Sequence, residues 1–280
     1  MKRRTFILSV ASLAALGSRA FGKERELLEA DRTYHVRTDG SDLNSGLEDS
    51  PSGAFATWQH AINFARSLDL NGHVVTLQAG SEATDKTFIE NILIGPMMGG
   101  GLVILDGGGR STIKTLSGEA ITLHQVGTTV IMPRNIRIES ARHGIKVNYM
   151  SLLSLGAGVT FGDCGGNGIW VHDNQALAQI LNVRLTIAGK MSSFLFMQYG
   201  HVFVEACTLD SEGAEFSSAF ITMFPRGSAQ FVGNKLQGKA SGRRFYVYGN
   251  SVLNLDGVPA EVALPGDMDG ISDASSTVNQ

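Results

Sequence analysis

From Gly118 onward the chain repeats one pattern of hydrophobic and polar positions. "GEAITLHQVGTTVIMPRNIRIESA" starts at Gly118, "HGIKVNYMSLLSLGAGVTFGDCG" at His143 and "NGIWVHDNQALAQILNVRLTIAG" at Asn167. "SFLFMQYGHVFVEACTLDSEG" follows from Ser193, "SAFITMFPRGSAQFVGNKLQG" from Ser218 and "RRFYVYGNSVLNLDG" from Arg243. Each piece holds a short apolar strand, a polar turn, a second alternating strand and a Gly-rich turn. Alternation with a period of two is the mark of a strand with one buried face. Ile121, Ile145 and Ile169 open successive units 24 residues apart, and Ile138, Phe161, Leu185 and Leu209 close second strands at intervals of 23, 24 and 24. No such unit buries its apolar face alone, so the units must stack. The Leu-x-x-Leu-x-Leu pattern of leucine-rich repeats is missing, and propeller blades need about 40 residues or more. The expectation is an all-β fold, a right-handed single-stranded parallel β-helix with coils of about 24 residues. Its body runs over residues 73–257, with "VVTLQAG", "TFIENILIG" and "GLVILDGGG" as weaker early strands and 258–280 as a C-terminal tail.

A solenoid leaves bare core at its ends, so residues 23–72 are expected to lead in and cover the first coil. In "FATWQHAINFARSL", Thr57 is placed as a helix N-cap, and Trp58, Ala61, Ile62, Ala65 and Leu68 share one helical face. The polar run before it, "DGSDLNSG", has the composition of a calcium loop but not its order. Counted from Asp39 the third ligand position is Leu43, and counted from Asp42 the required glycine is Leu47. Asp, Asn and Gly in such a run make turns by bonding their own backbone, so no metal and no cofactor are expected.

Composition changes the picture in two places. The first 22 residues run from Lys2, Arg3 and Arg4 through an apolar stretch, Phe6 to Leu16, to small residues at Ala20 and Gly22. That is the order of an export signal, and the stretch is shorter than the about 20 residues that span a bilayer. "KRRTFIL" is similar to the twin-arginine signal; an ordinary secretory signal carrying two Arg is the alternative. The protein is expected to be exported, periplasmic or secreted, after cleavage near residues 20–22, with no transmembrane segment. Without Lys2, Arg3, Arg4 and Arg19 of the 23 basic residues, about 19 remain against 26 acidic, a net charge near −7. An acidic chain has no affinity of its own for nucleic acid or an anionic membrane surface. The second place is the cysteine pair. Cys164 and Cys207 fall in different columns two coils apart, about 10 Å along the axis, beyond the about 7 Å a disulfide spans. Two free thiols are expected.

The opening "YHVRTDGSDLNSGLEDSPSGAFATWQHAINFA" resembles the start of parallel β-helix proteins of the pectate-lyase-like superfamily, whose extended "YVxxxGxDxNxG" run leads through "PFxTIQxA" into a capping helix. "GPMMGGGLVILDGGG" resembles their Gly-rich passage into the coils, and "GKASGRRFYVYGNSVLNLDG" with "ALPGD" resembles the ending of phage and prophage tail-spike or tail-fibre domains. The resemblance covers about residues 34–267 and implies the fold, a polysaccharide or glycan partner, and a homotrimer packed along its sides. The export signal and the closing "DMDGISDASSTVNQ" depart from the tail proteins and imply a stand-alone exported form.

Candidate chemistry lies on outward positions. His124, Asn148 and His172 each follow their unit's leading Ile by three residues, Gln198 extends the row, and Asp173 stands beside His172. With the aromatics Trp170, Tyr149 and Tyr199 they are candidates for holding a glycan; a structural polar ladder at the turn is the alternative. Asp173 and Glu205 are the candidate catalytic acids, since two carboxylates flanking a sugar bond act as acid and base or nucleophile. Asp210 lies near a strand end, Glu212 and Glu215 read as a solvated turn, and Asp163 as a turn residue. "ARHGIKV" resembles a polygalacturonase motif, but that family's Asn-Thr-Asp and Asp-Asp pairs are absent. No phosphate loop, zinc spacing or Ser-His-Asp elbow occurs. The expected function is polysaccharide binding by an exported β-helix; the alternatives are a polysaccharide lyase or glycoside hydrolase, and a structural or adhesive surface protein.

Overall fold

The structure, a computed structural model, describes residues 25–81 and 85–280. The expected export signal lies outside the described residues. The chain winds into an all-β parallel solenoid of about 8 turns, each of about 25 residues. Each full turn visits three faces. The first face is an eight-stranded sheet in which Ile92–Ile94, Ile121–His124, Ile145–Asn148, Asn167–His172, Lys190–Gln198, Glu215–Met223, Ser241–Val247 and Ile271–Ser272 pair in succession. The second face includes Val74–Ala79, Leu152–Leu155, Leu177–Leu181, His201–Glu205 and Ser228–Val232. The third includes Lys86–Ile89, Thr160–Cys164, Arg184–Ile187 and Thr208–Asp210. Leu102–Thr115 and Val130–Ser140 are long enough to bend from the second face onto the third.

The inner row of the first face is Ile121, Ile145, Ile169, Leu195 and Ile221, paired coil to coil and fully buried. The coil length is not constant. Ile145 to Ile169 is 24 residues, but Ile169 to Leu195 and Leu195 to Ile221 are 26 each. This corrects the expected closing row. Ile138 pairs Phe161 as anticipated, but Phe161 pairs Ile187 rather than Leu185, and Leu185 pairs Leu209. A slip of two residues keeps every side chain on its own side of the pleat, so the core tolerates it. The corners between faces need left-handed backbone. Gln125 (φ 55), Tyr149 (φ 34), Asp173 (φ 87) and Tyr199 (φ 63) supply it between the first and second faces, and Asn135, Asn182 and Ala206 between the second and third.

The helix Trp58–Arg66 closes the N-terminal end. Thr57 Oγ1 accepts from the His60 amide at 3.1 Å, the expected cap. Trp58, Ala61, Ile62 and Ala65 are fully buried, and Trp58 meets Phe88 edge to face at 5.7 Å. Leu68, expected on the helical face, is buried but lies past the helix on the short strand Leu68–Asp69, which pairs with Glu26–Leu27. "DGSDLNSG" is the tether of this lid. Asp42 accepts from the amides of Ala56 (2.9 Å) and Thr57 (3.0 Å) and from Thr57 Oγ1 (2.9 Å), while Asn44 Nδ2 donates to the Pro51 and Ala54 carbonyls. At the far end, Ile271–Ser272 and Thr277–Asn279 pair with 246–247 and 252–254, continuing the stack, and the short helix Ala260–Ala263 buries two alanines against it. Cys164 and Cys207 are buried free thiols; burial pushes the Cys164 thiol up to about 12 and raises that of Cys207.

Candidate functional site

The outward residues of the first face form two rows. His124, Asn148 and His172 are direct partners on adjacent coils, and Lys146 pairs Trp170 two residues earlier on the same strands. Gln198 continues the row, because Met197 pairs Val171 and the Asp173 amide donates to the Gln198 carbonyl at 3.0 Å. The corner residue Tyr149 sits between the two histidines. Its ring stands edge-on to His124 at 5.1 Å and to His172 at 6.5 Å. The four expected binding residues, His124, Asn148, His172 and Trp170, therefore lie on one face.

The structure adds what the sequence reading left out. The same two rows turn aromatic in the later coils. Trp170 meets His172 at 5.4 Å and Phe196 at 6.0 Å; Phe196 stacks with Phe224 at 6.5 Å; Phe224 stacks with Tyr248 at 5.1 Å and 17°; Tyr248 meets Tyr246 at 5.9 Å. An unbroken stripe of rings thus follows the solenoid axis from His124 to Tyr248. Five steps between coils at about 4.8 Å make it about 24 Å long. Tyr149 and Phe224 are 45% and 41% exposed, so the stripe is open to solvent at several rungs. The signal in the sequence was a ring at the third residue after the leading apolar position in four of six units, His124, His172, Phe224 and Tyr248, with Asn148 and Gln198 in the other two. The longer coils hid it by breaking the 24-residue count.

Polar groups underlie the rings. His143 is buried beneath Trp170, ring centres 4.8 Å apart, and its Nδ1 accepts from the Asn167 amide at 3.0 Å. Burial, aided by the charge of Arg142, lowers its pKa from 6.5 to about 4, so this imidazole is neutral. Lys146 Nζ lies 4.3 Å from the centre of the Trp170 ring, a cation–π contact that covers one ring face. Asn148 is only 6% exposed, and among the described residues its Oδ1 and the Trp170 Nε1 have no hydrogen-bond partner. Both atoms are shielded from solvent, so they belong to the packing beneath the rings and not to the open face.

The candidate acids are not brought together. Asp173 Oδ2 lies 3.0 Å from His172 Nδ1 at the corner between the first and second faces. Glu205 is exposed at the far end of the next second-face strand, opposite Leu181. The strand Leu177–Leu181 lies between them, about 13 Å of chain, more than the about 5–9.5 Å that carboxylate pairs of glycosidases span. Asp210 is engaged by Arg184 at 2.6 Å on the third face. Glu215, expected in a turn, opens the strand Glu215–Met223 opposite Lys190, because its backbone joins the parallel ladder. Among the described residues no three His, Cys, Asp or Glu gather to hold a metal ion, and no helix is long and apolar enough to cross a membrane.

Fold and face together define a parallel β-solenoid with an aromatic flank. No protein-family model matches the chain, and no curated protein matches it in sequence.

Proposed function

We propose that this chain is an exported β-solenoid protein, akin to the pectate-lyase-like superfamily and its phage tail-spike branch, that binds extracellular or cell-surface polysaccharide along its first face. The observation that carries this is the stripe of rings from His124 to Tyr248. Sugar rings present apolar C–H faces and hydroxyl edges. Aromatic side chains take the first, and His124, His172 and Gln198 suit the second. An extended chain laid along the axis meets a new rung at every coil. The test is affinity electrophoresis or calorimetry of the mature protein against a polysaccharide panel. Trp170→Ala and Phe224→Ala are each expected to weaken binding of the polysaccharide that scores by about 2- to 12-fold, the range of a lost aromatic contact. His172→Ala should abolish it. Unchanged affinity in all three variants would remove the proposal, and no binding to any glycan would leave a structural or adhesive surface role.

A second function, polysaccharide lyase, is favoured by one observation. His172 is oriented by Asp173 beside the Tyr149 ring. A carboxylate-oriented imidazole can act as a general base. Ultraviolet-absorbing unsaturated ends that appear with the wild type and vanish in Asp173→Asn would select the lyase over the binding protein.

A further inference from the structure

Where the third face passes into the first, the surface opens into a cleft of about 520 Å³, within the roughly 300–1,000 Å³ of small-molecule sites. It lies at the start of the strands Lys190–Gln198 and Glu215–Met223, the first of which leads on to Phe196 in the aromatic stripe. From Lys190 to Phe196 is about 20 Å of extended chain, so the cleft is separate from the stripe. A local irregularity makes it. Between Met191 and Ser193 the chain advances two residues, while between their partners Phe216 and Ala219 it advances three. On the other side Glu215 to Ala219 is matched by Ser241 to Arg243, two residues fewer. The strand Glu215–Met223 therefore bulges against both neighbours. Bulges of this kind re-aim side chains beside functional sites.

The lining has a definite chemistry. Met191 and Phe216, both nearly buried, make an apolar floor. Ser192, Ser217 and Ser241 bring hydroxyls to the wall. Lys190 holds the two acids in place: its ammonium lies 3.0 Å from Glu215 Oε2, and its amide donates to Asp163 Oδ1 at 2.9 Å. Among the described residues these contacts leave the second oxygen of each carboxylate open to a ligand. The chain can pass this closely only because Gly189 has no side chain; a Cβ there would lie 2.1 Å from the Gly162 carbonyl carbon. Two ionised acids around one lysine make the cleft net negative and rich in acceptors. Acceptor carboxylates take the hydroxyl hydrogens of a polyol, serines pair with its oxygens, and the apolar floor takes a C–H face. A uronate or phosphate is repelled by the same acids.

We propose that this cleft is a second binding site, for one neutral, hexose-sized sugar unit. The test is saturation-transfer NMR on the intact mature protein with glucose, galactose and mannose as probes, and glucuronate and galacturonate as their charged counterparts. At least one neutral hexose is expected to give a saturable signal, with the uronates at least tenfold weaker. Glu215→Ala with Ser217→Ala should weaken the hexose at least tenfold. Gln230→Ala, on the outer second face, should leave it unchanged. Because Glu215 is an exposed ion-pair member, thermal melting of the double variant is expected to match the wild type, which separates loss of the site from loss of the fold. No saturable signal from any neutral hexose, equal binding of uronates, or unchanged binding in the folded double variant would each overturn the assignment.

Discussion

At the scale of single residues, His143 joins the core to the binding face. It accepts a hydrogen bond from the Asn167 amide, which requires Nδ1 unprotonated, and it supports the Trp170 ring. In the unfolded chain this group takes up a proton near pH 6.5; in the folded protein it does so only near about 4. Between those values the unfolded state binds more protons, so stability falls as pH is lowered through that window and His143 adds no further loss below it. A shift of this size corresponds at most to about 3 kcal/mol, less for the part of the ring that solvent screens. Urea unfolding at a series of pH values should show this slope, and His143→Gln should flatten it; an unchanged slope would show that other groups set the acid response. The outward placement of Trp170 and His172 was legible from the alternation of the sequence. The burial of His143 and Asn148 was not, because it depends on neighbouring rings from the coils before and after, which no local pattern records.

At the scale of elements, the lid is held by two carboxylates more than by its own length: Asp42, and Glu90, whose oxygens accept from the Trp58 and Gln59 amides. A nine-residue helix is too short to persist alone. Asp42 reaches across the polar loop to fix the two amides and the hydroxyl at its start. Asp42→Ala is expected to lower stability by about 2–4 kcal/mol, as removal of a hydrogen-bonded charge and of a cap does, with Asp42→Asn intermediate. Denaturant midpoints check this, and a change under about 0.5 kcal/mol, the usual size of a surface substitution, would show that the tether is dispensable. The helix, its cap and its buried face were readable because capping and three- and four-residue spacing are local. Leu68 was misassigned by the same rule: the spacing continues past Ser67, but the backbone leaves the helix to pair as a strand. The aromatic continuation through Phe196, Phe224 and Tyr248 was missed for a related reason. Two coils of 26 residues shift the count, and only the hydrogen-bonded register restores the alignment.

At the scale of the whole molecule, the coils touch mainly their neighbours, so stability is distributed along one axis. The two ends differ. The first coil lies under a buried helix, whereas the last strands, Ile271–Ser272 and Thr277–Asn279, are short and largely exposed. Hydrogen exchange is therefore expected to be slowest for amides of the central first-face strands, intermediate beneath the lid, and fastest from residue 271 onward. Uniform exchange along the chain would mean that the stack opens as one unit. Such a molecule also works as a ruler. Its rungs are set by the spacing between strands, not by the side chains that decorate them. Duplicating one coil of the gene would add one mark to the scale, and with it one more unit of whatever polymer lies alongside. The length of ligand that the protein can read is thus inherited in whole steps.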